Sequence, residues 1–292
     1  MHADEIHTDE SLVSRLLADQ FPQWSYLRVE RVVSAGTDNA IYRLGADLAV
    51  RLPRIPAAAG QVERDQRWLP RLAPHLPLAV PEPLALGSPG AGYPLTWGVY
   101  RWLDGTEATV LADPCTAARD LAEFLLALHR VGTSDGPVPR QAGRGSPLAT
   151  RDGDTRQAIG QVSAEFAPER VTAAWEESLA APVWPGRPVW VHGDLSPGNL
   201  LVTHGRLSAV IDFSCLGVAD PACDLLAAWN LFARDSRSAF RAALDVDDDT
   251  WLRGRGWALS VALLQLPYYL HTNPVMVAGA RRVIGEVLAD AG

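Results

Sequence analysis

Three polar side chains stand at intervals that suit the movement of a phosphoryl group. In a chain of 292 residues, Asp194 precedes Asn199 by five positions and Asp212 by eighteen. Phosphoryl transfer needs one carboxylate at the attacking hydroxyl and two hard oxygen ligands for Mg2+. Asp194 fits the first role, and Asn199 and Asp212 fit the second. The apolar runs 189–191, 200–202 and 209–211 flank these residues and are predicted as short strands holding a rigid loop between them. Asp220-Pro221 downstream is a helix start, because aspartate caps free N–H groups and proline suits the first helical position. Asp224 then falls in the first turn, where negative charge is favoured, so its expected part is structural. Taken singly, each of these acids could equally cap a turn or a helix.

As an ordered set they say more. His192-Gly193-Asp194 with Asn199, Ile211-Asp212-Phe213 and Asp220-Pro-x-x-Asp224-Leu225 resemble the catalytic and metal-binding loops of the aminoglycoside phosphotransferase family, relatives of the protein kinases. The resemblance implies an α+β, two-lobed, protein-kinase-like fold. A small N-terminal lobe built on an antiparallel sheet (residues 1–99) would cover the nucleotide. Residues 100–105 would form a hinge, and 106–292 a larger, mostly helical lobe with the catalytic loops and the acceptor site. The implied activity is a Mg2+-dependent small-molecule kinase that moves the γ-phosphoryl group of ATP or GTP to a hydroxyl of an aminoglycoside-like acceptor. A kinase for another small alcohol or amine (macrolide, choline- or homoserine-like) and a nucleotide-binding pseudokinase are the alternatives. His192 is expected to shape the loop by hydrogen bonding.

The elements that must position these groups begin with three predicted strands over 27–34, 40–44 and 48–52. Between the first two, small and turn-prone residues, among them Gly36, Thr37 and Asn39, allow a tight bend with N–H groups facing an anion, or a plain hairpin. Arg51 on the third strand stands where the family carries lysine, with Arg54 nearby as a second candidate for the phosphates. A guanidinium is bulkier and planar, so its geometry must differ. The spacing predicts a helix over 61–72 with Val62, Leu69 and Leu72 inward. Asp65 on it matches the family's glutamate that orients the strand cation, on a shorter arm; Glu63 is the other candidate. A buried strand over 93–103 follows, and the resemblance implies that the backbone of Tyr100, Arg101 and Leu103 meets the purine.

Beyond the hinge, 116–131 is a predicted amphipathic helix with Leu121, Phe124, Leu125 and Leu128 on one stripe. A long surface loop is expected over 133–155, near the substrate cleft, before helical spacing resumes at 157–179. The segments after 226 read as helices, with an acidic turn at 245–249 that lacks the glycine and final glutamate of a calcium loop.

Composition narrows the field. A formal charge of −8 argues against a nucleic-acid partner and suits a cationic acceptor. All 26 basic residues are arginine, which excludes a lysine-bearing phosphate loop. The three cysteines show no paired spacing and read as thiols of a reducing compartment. With no signal-like start and no apolar run of about 18 residues, a cytoplasmic chain free of membrane is expected, as monomer or homodimer.

Overall fold

The computed structural model describes residues 5–33, 38–139 and 143–290, so the expectations for Gly36 and Thr37 lie outside it. The first helix, α1 (Glu10–Gln20), starts where Asp9 accepts the N–H of Leu12 at 2.7 Å. Strands β1 (Val29–Arg31), β2 (Asn39–Leu44) and β3 (Leu48–Pro53) follow, then α2 (Gln61–Leu72), β4 (Pro83–Gly87) and β5 (Trp97–Arg101). The five strands form one antiparallel sheet in the order β1-β2-β3-β5-β4. Alternation along β2 sends Ala40, Tyr42 and Leu44 inward. They meet Leu12, Val13, Leu16 and Leu17 of α1 and Trp97 and Val99 of β5 in a small apolar core. The strand predicted over 93–103 is shorter, because Tyr93 pairs with Gly90 in a separate turn.

The larger lobe opens with β6 (Thr106–Glu107) and α3 (Pro114–Arg130), whose N-terminus is capped by Asp113. A connecting segment runs to a 3-10 turn at Leu148–Arg151, so the long loop is shorter than 133–155. The helical spacing that follows is split between α4 (Asp152–Gln161) and α5 (Pro168–Ala180). Strands β7 (Val189–Val191), β8 (Leu200–Thr203), β9 (Arg206–Val210) and β10 (Gly217–Ala219) then carry the motif loops. β7 pairs with β10, while β8 lies between β6 and β9. After a 3-10 stretch at Pro221–Leu226 come α6 (Ala227–Leu231), α7 (Arg234–Leu244), α8 (Asp248–Tyr269) and α9 (Pro274–Asp290).

Helix α8 is buried almost all round from Thr250 to Leu263, as a central helix should be. Its two buried arginines are paired: Arg253 with Asp220 at 2.8 Å, and Arg255 with Glu177 at 2.5 Å. The acidic turn before it is used locally, with Asp247 capping α8 through Thr250 and Asp248 pairing with Arg241. The apolar face of α2 does not join the sheet's core. Trp68, Leu69 and Leu72 belong to the large core, where Trp68 meets Trp190 of β7 with ring centroids 5.0 Å apart. A small antiparallel sheet lobe over a larger helical lobe is the arrangement the sequence predicts. Among the described residues no helix is long and apolar enough to cross a membrane.

Candidate active site

The β8–β9 hairpin brings two of the motif residues together. Asn199 immediately precedes β8, Asp212 is the second residue after β9, and Leu200 pairs with Val210. The hairpin closes with the Ile211 N–H donating to the Asn199 carbonyl at 2.9 Å, which sets Asn199 and Asp212 at the same end. Asp212 adopts a left-handed conformation (φ 59°), a turn that aspartate tolerates better than most side chains, and its Oδ1 accepts the N–H of Ser214. Asn199 Nδ2 donates to the Asp194 carbonyl at 2.7 Å and to Asp194 Oδ2 at 3.2 Å. Its amide oxygen and Asp212 Oδ2 remain uncommitted to described groups. Two hard oxygens, completed by phosphate oxygens and water, are the usual protein contribution to an Mg2+ site, so these residues fit that ion. Among the described residues there is no cluster of three or more His, Cys, Asp and Glu side chains suited to a metal.

The loop that carries Asp194 is shaped from beneath. Asp224 is fully buried, and its two oxygens accept the backbone N–H groups of His192 (3.0 Å) and Gly193 (2.6 Å). The expected dipole role of Asp224 thus gives way to a more specific one, holding the catalytic loop. His192 is buried too; its Nε2 donates to the Ile211 carbonyl at 3.0 Å, which fixes the tautomer and leaves Nδ1 to accept the Asp194 N–H at 3.2 Å. The ring ties the loop to the Asp212 turn through these two hydrogen bonds. Gly193 has φ 80°, and a Cβ there would lie 3.0 Å from the Cys215 carbonyl. Burial, and then the Asp194 carboxylate, push the Cys215 thiol up to about 12, so it stays protonated.

Arg51 is the hub on the sheet side. It is 8% exposed, so it is no solvated strand arginine. Nη1 donates to Asp65 at 2.7 Å, and Nη2 donates to Gln61 at 3.0 Å and to Asp212 at 3.1 Å. Burial opposes its charge, but Asp65 and Asp212 outweigh it and hold the guanidinium above its ordinary value. Glu63 is exposed and Arg54 pairs with Glu5, so Asp65 and Arg51 are the pair that forms. Asn39 reaches the same cluster through Gln61 at 3.0 Å. Tyr100 enters it by its side chain: the hydroxyl donates to Asp65 at 2.9 Å. Burial and the neighbouring carboxylate push that hydroxyl well above its ordinary range, which keeps it a donor.

The backbone of the predicted hinge is partly committed. The Arg101 N–H donates to the Glu82 carbonyl and the Trp102 N–H to the Asp47 carbonyl. Of the predicted base-contacting backbone, Arg101 therefore gives up its donor, whereas Leu103 lies beyond these strand contacts.

One residue of the cleft is absent from the sequence reading. Arg144, between α3 and the turn at Leu148–Arg151, donates from Nη2 to Asp194 Oδ1 at 3.0 Å. Burial works against its charge, and Asp194 holds it raised. The predicted approach of the long loop to the cleft is the signal that points toward it; the choice of this arginine depends on how the loop folds.

The sequence matches the model of the phosphotransferase enzyme family over residues 29–257, a span that contains every motif loop described above. Uncharacterized protein YcbJ of Bacillus subtilis (strain 168) is 29% identical over 165 residues, 54% of this chain; the chain spans about half (51%) of that curated relative. The GDP complex of wild-type aminoglycoside 2'-phosphotransferase-IIIa superposes with a TM-score of 0.74 at 19% identity, covering 97% of this chain and 99% of that one. The apoenzyme of macrolide 2'-phosphotransferase MphH from Brachybacterium faecium gives 0.62 at 26% identity, covering 94% and 97%.

Proposed function

The chain belongs to the phosphotransferase enzyme family, and from that premise we propose a Mg2+-dependent kinase that transfers the γ-phosphoryl group of ATP or GTP to a hydroxyl of a small acceptor. The observation that carries the reading is the joint fixing of Asp194, Asn199 and Asp212 at one end of the β8–β9 hairpin. Asp194 accepts the hydrogen bond of the acceptor hydroxyl and orients it for in-line attack. Because phosphoryl transition states are loose, orientation and late proton acceptance matter more than strong deprotonation. Asn199 and Asp212 would hold Mg2+ through their uncommitted oxygens. When bound, that ion offsets charge on the transferring oxygens. Arg51 uses three of its five N–H donors within the protein, and the others are available to the nucleotide phosphates. The sheet lobe, residues 1–99, covers the nucleotide, 100–105 form the hinge, and 106–292 hold the acceptor.

An aminoglycoside-like acceptor is the first reading, supported by the fold shared with the aminoglycoside enzyme. A macrolide-like acceptor is the second, favoured by the higher identity to the macrolide enzyme. The test is nucleoside diphosphate release from ATP and GTP with Mg2+ across aminoglycosides, macrolides and small amino alcohols. One compound class should stimulate release, and Asp194→Asn should lower the stimulated rate about 10³-fold or more with nucleotide affinity retained. Full turnover in that variant would remove Asp194 from its role, and failure to bind Mg2+–nucleotide would remove the kinase reading.

A further inference from the structure

Resting on the kinase reading above, we propose that Arg144 is a further catalytic residue, one that contacts the transferring phosphoryl group. The chain has no lysine, so phosphate charge is met by arginine or by a metal ion. Arg51 is held by Asp65, Gln61 and Asp212 and keeps two N–H donors for the phosphates of the nucleotide, while Arg64 directs Nη2 to the Ser214 carbonyl. Arg144 is different: Nη2 binds Asp194, while Nη1 is buried with no hydrogen-bond partner among the described residues. A buried guanidinium nitrogen left unpaired is costly, and such groups in native proteins usually mark a missing partner or a catalytic use.

The position is built rather than incidental. Gly193 is left-handed, and a Cβ on it would lie 3.0 Å from the Cβ of Arg144. Gly145 is left-handed as well (φ 84°), and a Cβ there would come within 2.3 Å of the Ala219 Cβ. Both glycines let the Arg144 segment lie against the catalytic loop and β10. A backbone bond from the Val218 N–H to the Pro137 carbonyl (2.8 Å) fastens the same connection upstream. Arg144 is thus fixed beside Asp194.

The consequence follows from the reaction's geometry. The acceptor hydroxyl donates to Asp194, and its oxygen forms the new bond to phosphorus while the bond from phosphorus to the leaving diphosphate oxygen breaks. The hydroxyl proton passes to the Asp194 carboxylate. A guanidinium on the same carboxylate therefore stands next to the equatorial oxygens of the group in flight. There it offsets the repulsion between Asp194 and the phosphoryl charge, as an arginine finger supplied in cis does.

The test uses binding, with MgADP alone and MgADP with aluminium fluoride as the probe of the transferring group, in the full chain by calorimetry. Arg144→Gln should bind MgADP like the wild type, which also shows that the nucleotide site is folded, and should bind the fluoride complex about 10- to 100-fold more weakly. Arg144→Lys should recover part of that loss. The loss should persist in an Asp194→Ala background, because the contact is to the phosphoryl group itself. Equal analogue binding by wild type and Arg144→Gln would overturn the proposal, as would equal weakening of both complexes or a loss that vanishes with Asp194→Ala. No MgADP binding by the wild type would instead overturn the kinase reading beneath it.

Discussion

At the scale of single residues, the exchange of an ammonium for a guanidinium on β3 is matched across the cleft. The longer, forked arm of Arg51 meets the shorter carboxylate of Asp65, and Gln61 and Asp212 occupy the other prong. Removing one partner of such a buried pair leaves an uncompensated charge. Asp65→Ala should cost about 3–5 kcal/mol in denaturant unfolding and weaken nucleotide binding. Tyr100→Phe deletes one hydrogen bond to the same carboxylate and should cost about 1 kcal/mol by the same assay. The choice of Asp65 over Glu63 was legible, since only Asp65 falls on the helical face of Leu69 and Leu72. The phenol of Tyr100 was not legible: its reach to α2 depends on how that helix lies on the sheet, which no local pattern encodes.

At the scale of elements, the catalytic loop depends on an acid 30 residues downstream of Asp194 in sequence. Asp224 takes two backbone N–H groups that would otherwise be buried and unpaired. Asp224→Ala should therefore cost about 2–6 kcal/mol, with Asp224→Asn retaining part, and turnover should fall with loop order in both. Gly193→Ala adds a left-handed penalty to a close contact and should cost at least about 1–2 kcal/mol, measured by thermal unfolding. The short strands around this loop and the helix over 61–72 were readable because apolar period and turn residues are local signals. The Arg144 contact was not, because Arg144 sits on an irregular stretch without periodicity and its partner is 50 residues away.

At the scale of the whole molecule, two apolar cores lie on either side of the polar cluster. One joins α1 to the sheet, and the other takes in the helical lobe together with α2. Trp68 anchors α2 to the larger core through Trp190, so Trp68→Ala should cost about 3–5 kcal/mol and loosen α2 with it. The boundary between the cores passes between β3 and α2, where Arg51 grips Asp65. In amide exchange with solvent deuterium, α2 should then keep step with the helical lobe and lose protection along with it, while β1, β2, β3 and α1 open earlier as one cooperative unit. A nucleotide clasped between them would slow exchange in the sheet far more than in the helices, so a lobe that covered phosphates would also be the part whose persistence depends on having something to cover.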